Sequence, residues 1–340
     1  MRAFAVLACC LLLGACTSIA DPQPPVLQRL HADAEGLRLR GISAVDARIA
    51  WASGQKGVVL RTGDGGRHWT RVDIAAAAEL DLRDIHAFDA DTALALAIGP
   101  GEASRVYRTA DGGRSWTEVA RNRNPNGFWD CMAFDRRHGR ILGDPVDGHY
   151  QLLETRDAGR SWALLTDAPA ADPGEAAFAA SGSCIARVAD AWVVGTGGAT
   201  ARLHLQRDRQ AGWRAIDAGM QGGRPSAGVF SVAAHGDGVF AVGGDYSAEQ
   251  APGGASRMPD VAGTQALALP APRGYRSGVA CAASGLPCIA VGPSGVDLWD
   301  GGRWQPLGDS GFDAIALANG VAWLSGANGA LARIVLARPR

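Results

Sequence analysis

The chain has 340 residues, with 33 Lys and Arg against 34 Asp and Glu and a formal net charge of −1, which excludes the basic footprint that nucleic-acid binding needs. That length supports a large core in one or two domains. Its 46 glycines and 10 tryptophans suit many short strands joined by tight turns.

The first element is a leader. Arg2 is followed by the apolar run from Ala3 to Leu13, and then by "LGAC" at 13–16. A basic start, an apolar stretch and small residues describe an export signal, and the run is too short to span a bilayer. A Cys directly after Leu-Gly-Ala resembles the bacterial lipobox. The resemblance implies a signal peptide over 1–15 and a lipid on Cys16, and the Thr at position 17 points to the outer membrane, with the protein facing the periplasm. Residues 16–24, polar and Pro-rich, serve as a tether. The folded domain is expected over 25–340.

From there the chain repeats. Apolar strands end in Gly at Gly54, Gly99, Gly143, Gly195, Gly243, Gly292 and Gly326, at spacings of roughly propeller-blade length. About 13 residues ahead of each stands another short apolar run: "GISAV", "IHAFD", "DCMAF", "CIARV", "FSVAA", "VACAA" and "DAIAL". Runs of this length, rich in Val, Ile and Trp and bounded by Gly and Asp, read as strands, and no stretch carries a sustained 3.6-residue apolar period. The pattern predicts an all-β chain, a seven-bladed β-propeller of four-stranded antiparallel blades. The last unit lacks a fourth strand, while "PVLQRL" at 25–30 lacks a partner. That segment is predicted to complete the seventh blade and close the ring, because an unclosed ring exposes strand edges.

A ten-residue phrase recurs at 60–69, 107–116 and 153–162: "LRTGDGGRHW", "YRTADGGRSW" and "LETRDAGRSW". Its form, Thr-x-Asp-x-Gly-x-x-Trp, resembles the Asp-box, or BNR repeat. Asp64, Asp111 and Asp157 are expected to accept bonds from their own turns. The box glycines take positive φ, and Trp69, Trp116 and Trp162 bury rings between blades. These aspartates are therefore structural and not acid–base groups.

Export permits disulfides. Cys281 and Cys288 flank a turn-rich hairpin tip and can face each other. The even count leaves Cys131 and Cys184 for a second bridge. No Cys/His spacing matches a metal site, and no residue set calls for a cofactor.

The seven units, the three boxes and the phrases "RDIHAF", "FWDCMAF", "GDPVDG", "PGEAAFAASG" and "VGGDYS" together resemble the Ycf48-like family of photosystem II assembly-factor propellers, within the wider WD40/YVTN/BNR-like group. The resemblance covers roughly residues 25–330. It implies a non-catalytic fold that docks protein partners, without implying photosynthesis; a protein or peptide partner and a monomeric state are expected.

In a propeller the entrances to the inner strands, and the loops joining second and third strands, share one face. The entrances carry Arg40, Arg83, Asp84, Trp129, Asp130, Glu175, Tyr275 and Arg276; the loops carry Glu102, Asp144, Asp147, Asp245 and Tyr246. Convergence of these groups on one mouth predicts a partner-binding site, in which Arg40, Arg83 and Arg276 grip a carboxylate. Pairing of these charges among themselves as struts is the competing structural reading. Two other functions compete. A sialidase-like glycoside hydrolase would draw its two carboxyls from Glu175, Asp130 and Asp84, but sialidases have six blades and an Arg-Ile-Pro motif, where this chain has "LRGIS" at 39–43. A cofactor-dependent oxidoreductase finds only "VVGTGGATA" at 193–201, which is followed by a strand-like run and lacks the βαβ setting of a dinucleotide loop.

Overall fold

Why the strands end in glycine is visible in the packing. Four inner strands enter through a bulge, at Leu39/Gly41 in the first sheet, Leu82/Asp84 in the second, Trp129/Cys131 in the third and Val229/Ser231 in the fifth. The strand-ending glycine lies against that bulge. A Cβ at Gly54, Gly143 or Gly243 would fall onto the carbonyl of Arg38, Phe128 or Gly228. The close approach of two backbones leaves no room for a side chain.

The structure, a computed structural model, describes residues 25–336 apart from 209 and 211. The signal peptide, the tether and Cys16 lie outside the described residues. Seven antiparallel sheets follow one another along the chain and form blades 1 to 7. Their inner strands are Leu39–Ala44, Asp81–Ala87, Trp129–Asp135, Ile185–Val188, Arg224–His235, Gly278–Cys281 and Ala314–Ala318. Each packs against the next, and the last packs against the first, so the sheets close into a ring. Second strands such as Ala50–Gly54, Ala191–Gly195 and Val321–Ser325 are buried along their whole length. With neighbouring blades on both faces they read as unbroken apolar runs.

Leu27–Leu30 pairs antiparallel with Leu331–Val335 and supplies the fourth strand of blade 7, as its missing partner required. Blade 5 departs from the four-stranded plan. Two short segments, Glu175–Ala176 and Gly197–Gly198, add to the inner edge of its sheet and make it six-stranded. The glycine-rich stretch at 193–201 is thus the end of one strand and a two-residue ladder, with no helix behind it. Both disulfides form: Cys281 pairs directly opposite Cys288 across a hairpin, and Cys131–Cys184 ties blade 3 to blade 4.

The three Asp-boxes have one geometry. The Thr hydroxyl bonds the Asp carboxylate and accepts from the Gly backbone N–H: Gly66 to Thr62 at 3.0 Å, Gly113 to Thr109 at 3.0 Å and Gly159 to Thr155 at 3.0 Å. The Asp in turn accepts the backbone N–H four residues on, from His68, Ser115 or Ser161. Hydrogen bonds from Ser115 lead the causes that hold the Asp111 carboxyl down at about 2. Gly66, Gly113 and Gly159 have φ of 81°, 85° and 75°. Trp69 meets Trp323 of blade 7 edge-on at 5.9 Å, and Trp116 meets Trp51 of blade 1 at 6.3 Å. The boxes fasten each blade to the one before it.

Candidate functional site

At the end of the ring where the inner strands begin lies a mouth, a cavity of about 310 Å³. Strand alternation builds its first wall. In the sequence Arg38-Leu39-Arg40, the middle side chain is buried in the core and the two arginines point into the mouth. Arg38 forks onto Asp313 at the entrance to blade 7, with both contacts at 2.7 Å. Arg83 of blade 2 donates to Asp81 at 2.9 Å and to the carbonyl of Ala179 at 3.0 Å. Arg40, half-buried between them, pairs with no acid among the described residues, and its Nε is enclosed without a partner. Burial, together with repulsion from Arg83 and Arg38, pushes its pKa down.

The opposite wall is aromatic. Phe178 stacks on Phe230 with centroids 3.9 Å apart, and Tyr275 meets Phe230 edge-on at 4.7 Å. Tyr246, half exposed, stands perpendicular to Phe178 and Phe230. Glu249 adds an exposed acid at the rim.

The floor comes from a segment that crosses the channel. Residues 177–183 form a strap that leaves Glu175–Ala176 at the edge of the blade 5 sheet and reaches blades 2, 3, 5 and 6 before the inner strand of blade 4 begins. Ala177 N–H donates to Asp144 at 3.0 Å, and the Ala179 carbonyl accepts from Arg83. Ser181 Oγ donates to the Ser277 carbonyl at 2.6 Å, and Ser183 Oγ bonds Ser231 Oγ at 2.7 Å. Gly182, with φ of 75°, passes so close to Asp84 that a Cβ would strike its carboxyl. The mouth is therefore a cup rather than the end of an open channel.

Of the predicted site residues, Arg40, Arg83, Tyr246 and Tyr275 line this cup. The expectation that the others converge there is corrected. Asp130 and Asp144 lie beneath the strap: the backbone N–H groups of Asp144 and Ala179 face the Asp130 carboxyl, and burial pushes both carboxyls up. Asp84 is buried and accepts the backbone N–H of Met132 at 2.7 Å. Trp129 packs among Leu94, Leu96 and Met132 between blades 2 and 3. Asp245 caps its own turn through Ser247 and pairs with Arg224. Glu102 pairs with Arg121, and Asp147 sits in a tight turn with φ of 53°.

Arg276 and Glu175 leave the mouth altogether. Arg276 is 0% exposed and bonds Asp297, Ser294 and the Tyr275 carbonyl inside blade 6. The Glu175 side chain, also 0% exposed, is enclosed by Arg202, His204 and Thr196. Arg38, Phe178, Phe230, Glu249 and Asp313 complete the cup without having been singled out in the sequence. Arg38 was recoverable as the residue two before Arg40.

Desolvation raises the Asp84 pKa well above the ordinary carboxylate range, against the hydrogen bonds from Met132 and Ile85 that lower it. The folded state therefore keeps a proton that the unfolded chain releases near pH 4. Stability should fall as pH rises from about 4 toward the folded value, by up to about 1.4 kcal/mol per pH unit from this one group. Asp84→Asn is expected to remove that slope and to be as stable as the parent or more so at neutral pH. Urea titrations across pH check it; an Asn variant less stable at pH 7 would show that the ionised carboxylate is needed.

No protein-family model matches the chain, and no curated protein sequence matches it. Among solved structures it is similar to "YCF48 bound to D1 peptide", with a TM-score of 0.64 at 15% identity, covering 93% of this chain and 98% of that one. It is equally similar to YCF48 from Cyanidioschyzon merolae, with a TM-score of 0.64 at 14% identity, covering 91% and 98%. The WD40 propeller domain of Doa1 matches with a TM-score of 0.62 at 10% identity, over 93% and 98%. These likenesses carry the fold: a Ycf48-like, WD40-like seven-bladed propeller.

Proposed function

We propose that the chain is a non-catalytic propeller that captures a protein partner by a carboxylate-bearing chain end seated in the mouth. The carrying observation is Arg40, a half-buried guanidinium with no acid partner among the described residues, in a cup whose other cations are already paired. A buried unpaired cation is costly, and an incoming carboxylate relieves that cost through a forked pair of bonds. The closed floor favours a chain end over a through-running segment. Phe178 and Tyr246 offer apolar contact to the last side chain. The likeness to a YCF48 structure with a bound peptide supports the same reading.

The hydrolase reading loses support because its carboxyls are committed elsewhere: Glu175 to Arg202 and His204, and Asp84 and Asp130 to buried backbone. No two of the three line one cavity wall of the mouth, whereas glycoside cleavage needs two carboxyls flanking the bond. The propeller is further proposed to act as a monomer in an assembly role, held at the outer membrane by a lipid on Cys16. Palmitate labelling reads that anchor, and Cys16→Ser is expected to abolish the label.

The grip is tested with a panel of synthetic peptides carrying free or amidated C-termini. Binders are expected to lose affinity about tenfold or more on amidation, and to the same extent in Arg40→Gln, a loss typical of one charge-assisted pair. Binders that tolerate amidation and Arg40→Gln would rule the chain-end reading out.

A further inference from the structure

On the Asp-box face, an arginine from one blade closes the seam to the box turn of the next. Arg333 donates to the Gly65 carbonyl at 2.6 Å, Arg61 to Gly112 at 3.0 Å and Arg108 to Ala158 at 3.2 Å. The seam between blades 3 and 4 breaks this rule. Glu154 stands immediately before Thr155, where Arg61 and Arg108 precede their box threonines, and the blade 4 turn, "QRDRQAGW", keeps Asp208 but has Gln206 and Gln210 in place of the box Thr and Gly. A polar cleft of about 490 Å³ remains there.

Its walls are built, not incidental. The Arg140 side chain is only 9% exposed. Its guanidinium lies over Trp192 at 5.0 Å and Trp213 at 5.8 Å, and Arg187 lies over Trp192 at 5.7 Å. The rings hold both forks in place. The nearest acceptor of Arg140 is neutral, Gln206 Oε1 at 2.6 Å; Glu154 stands 3.4 Å away and is shared with His138 and Arg156. Arg187 takes Asp208 through both terminal nitrogens and faces Asp135 at 3.6 Å through Nε, and Arg207 pairs with Asp190. The Nε atoms of Arg140 and Arg187 are both enclosed without a hydrogen bond among the described residues. In the adjoining turns Arg136, Arg137 and Arg160 are exposed and form no ion pair among the described residues. Arginines thus outnumber carboxylates at this seam.

We propose that this cleft binds a tetrahedral oxyanion, a phosphate or phosphate monoester, through Arg140, Arg156 and Arg187. Three forks arriving from two strands and the blade 3 box turn suit the several oxygens of a tetrahedral group better than the two of a carboxylate. The cleft is larger than phosphate and leaves room for the esterified group. Burial lowers the Arg140 pKa through desolvation, a cost that a bound anion offsets. The site lies on the face opposite the mouth and stands independently of the mouth's function.

The test is a thermal-shift and tryptophan-fluorescence titration with inorganic phosphate, against sodium chloride at matched ionic strength. Phosphate is expected to raise Tm saturably while chloride does not. Arg156→Gln/Arg207→Gln alters one exposed and one partly exposed side chain of the cleft and should fold normally, yet bind phosphate about tenfold or more weakly; Arg40→Gln should bind as the parent does. Vesicles of phosphatidylcholine with and without phosphatidic acid separate the sources. Co-sedimentation dependent on phosphatidic acid and competed by free phosphate assigns a lipid headgroup, and saturable phosphate binding without co-sedimentation assigns a soluble ester. An equal response to chloride, or a double variant that binds phosphate as tightly as the parent, overturns the site.

Discussion

Asp297→Asn is expected to lower the unfolding free energy by about 3–5 kcal/mol, the cost of removing one partner from a buried ion pair. Asp297 and Arg276 are each 0% exposed. The carboxylate receives Arg276 through Nε at 3.0 Å and through Nη2, and also holds Arg273 at 2.8 Å. Asparagine keeps the shape and loses the charge, so Arg276 stays enclosed with neutral acceptors only: Ser294, the Tyr275 carbonyl and the amide oxygen that asparagine retains. Desolvation already leads the causes that depress the Arg276 pKa, against the raising effect of Asp297. The urea midpoint, followed by tryptophan fluorescence, should drop with the slope unchanged. Arg276→Met/Asp297→Leu should recover much of the loss, because no unpaired charge remains inside. A midpoint shift worth less than about 1 kcal/mol in the single variant would mean that water reaches the guanidinium.

The same residue explains where the sequence was legible and where it was not. The blades could be read because their cause is local: a glycine wherever a second strand passes a bulge, and Thr-x-Asp-x-Gly-x-x-Trp wherever a turn must satisfy its own backbone. The closing strand could be read because an unpaired segment and an unpaired edge imply each other. The mouth was legible only in part, because facing depends on alternation and on where each bulge falls. Tyr275 and Arg276 are neighbours, so one faces the cup and the other the interior of blade 6. Arg38 shares the facing of Arg40 by the same rule. Glu175 failed for another reason. The gap from Gly143 to Gly195 is the longest between strand-ending glycines, and the surplus residues form the strap. Glu175 is its buried root rather than the entrance to an inner strand, and only three-dimensional contacts say where such an insertion goes.

A chain begun at His31 is expected to lose cooperative folding, where one begun at Pro25 keeps it. The four residues Leu27–Leu30 are short, yet among the described residues they alone pair with the outer edge of Leu331–Val335. Two partly buried leucines are lost with them, worth on the order of 3 kcal/mol. Leu30 also packs with Trp69 and Trp323 where blade 1 meets blade 7, beside the Gly66 turn. Arg29 bonds Ser310 and Gln28 bonds Arg333, so the strand joins the last two blades as well. Removing it therefore weakens two seams at once and bares a strand edge whose core residues Leu331 and Ile334 face a partner that has gone. Each blade leans on the next, so the damage should spread around the ring rather than stay in blade 7. Calorimetry and size exclusion on the two chains decide it: the shorter chain should aggregate or melt broadly, and recover on addition of a peptide spanning 25–30. A monomeric shorter chain with an unchanged Tm would show that the seven blades hold together without their clasp.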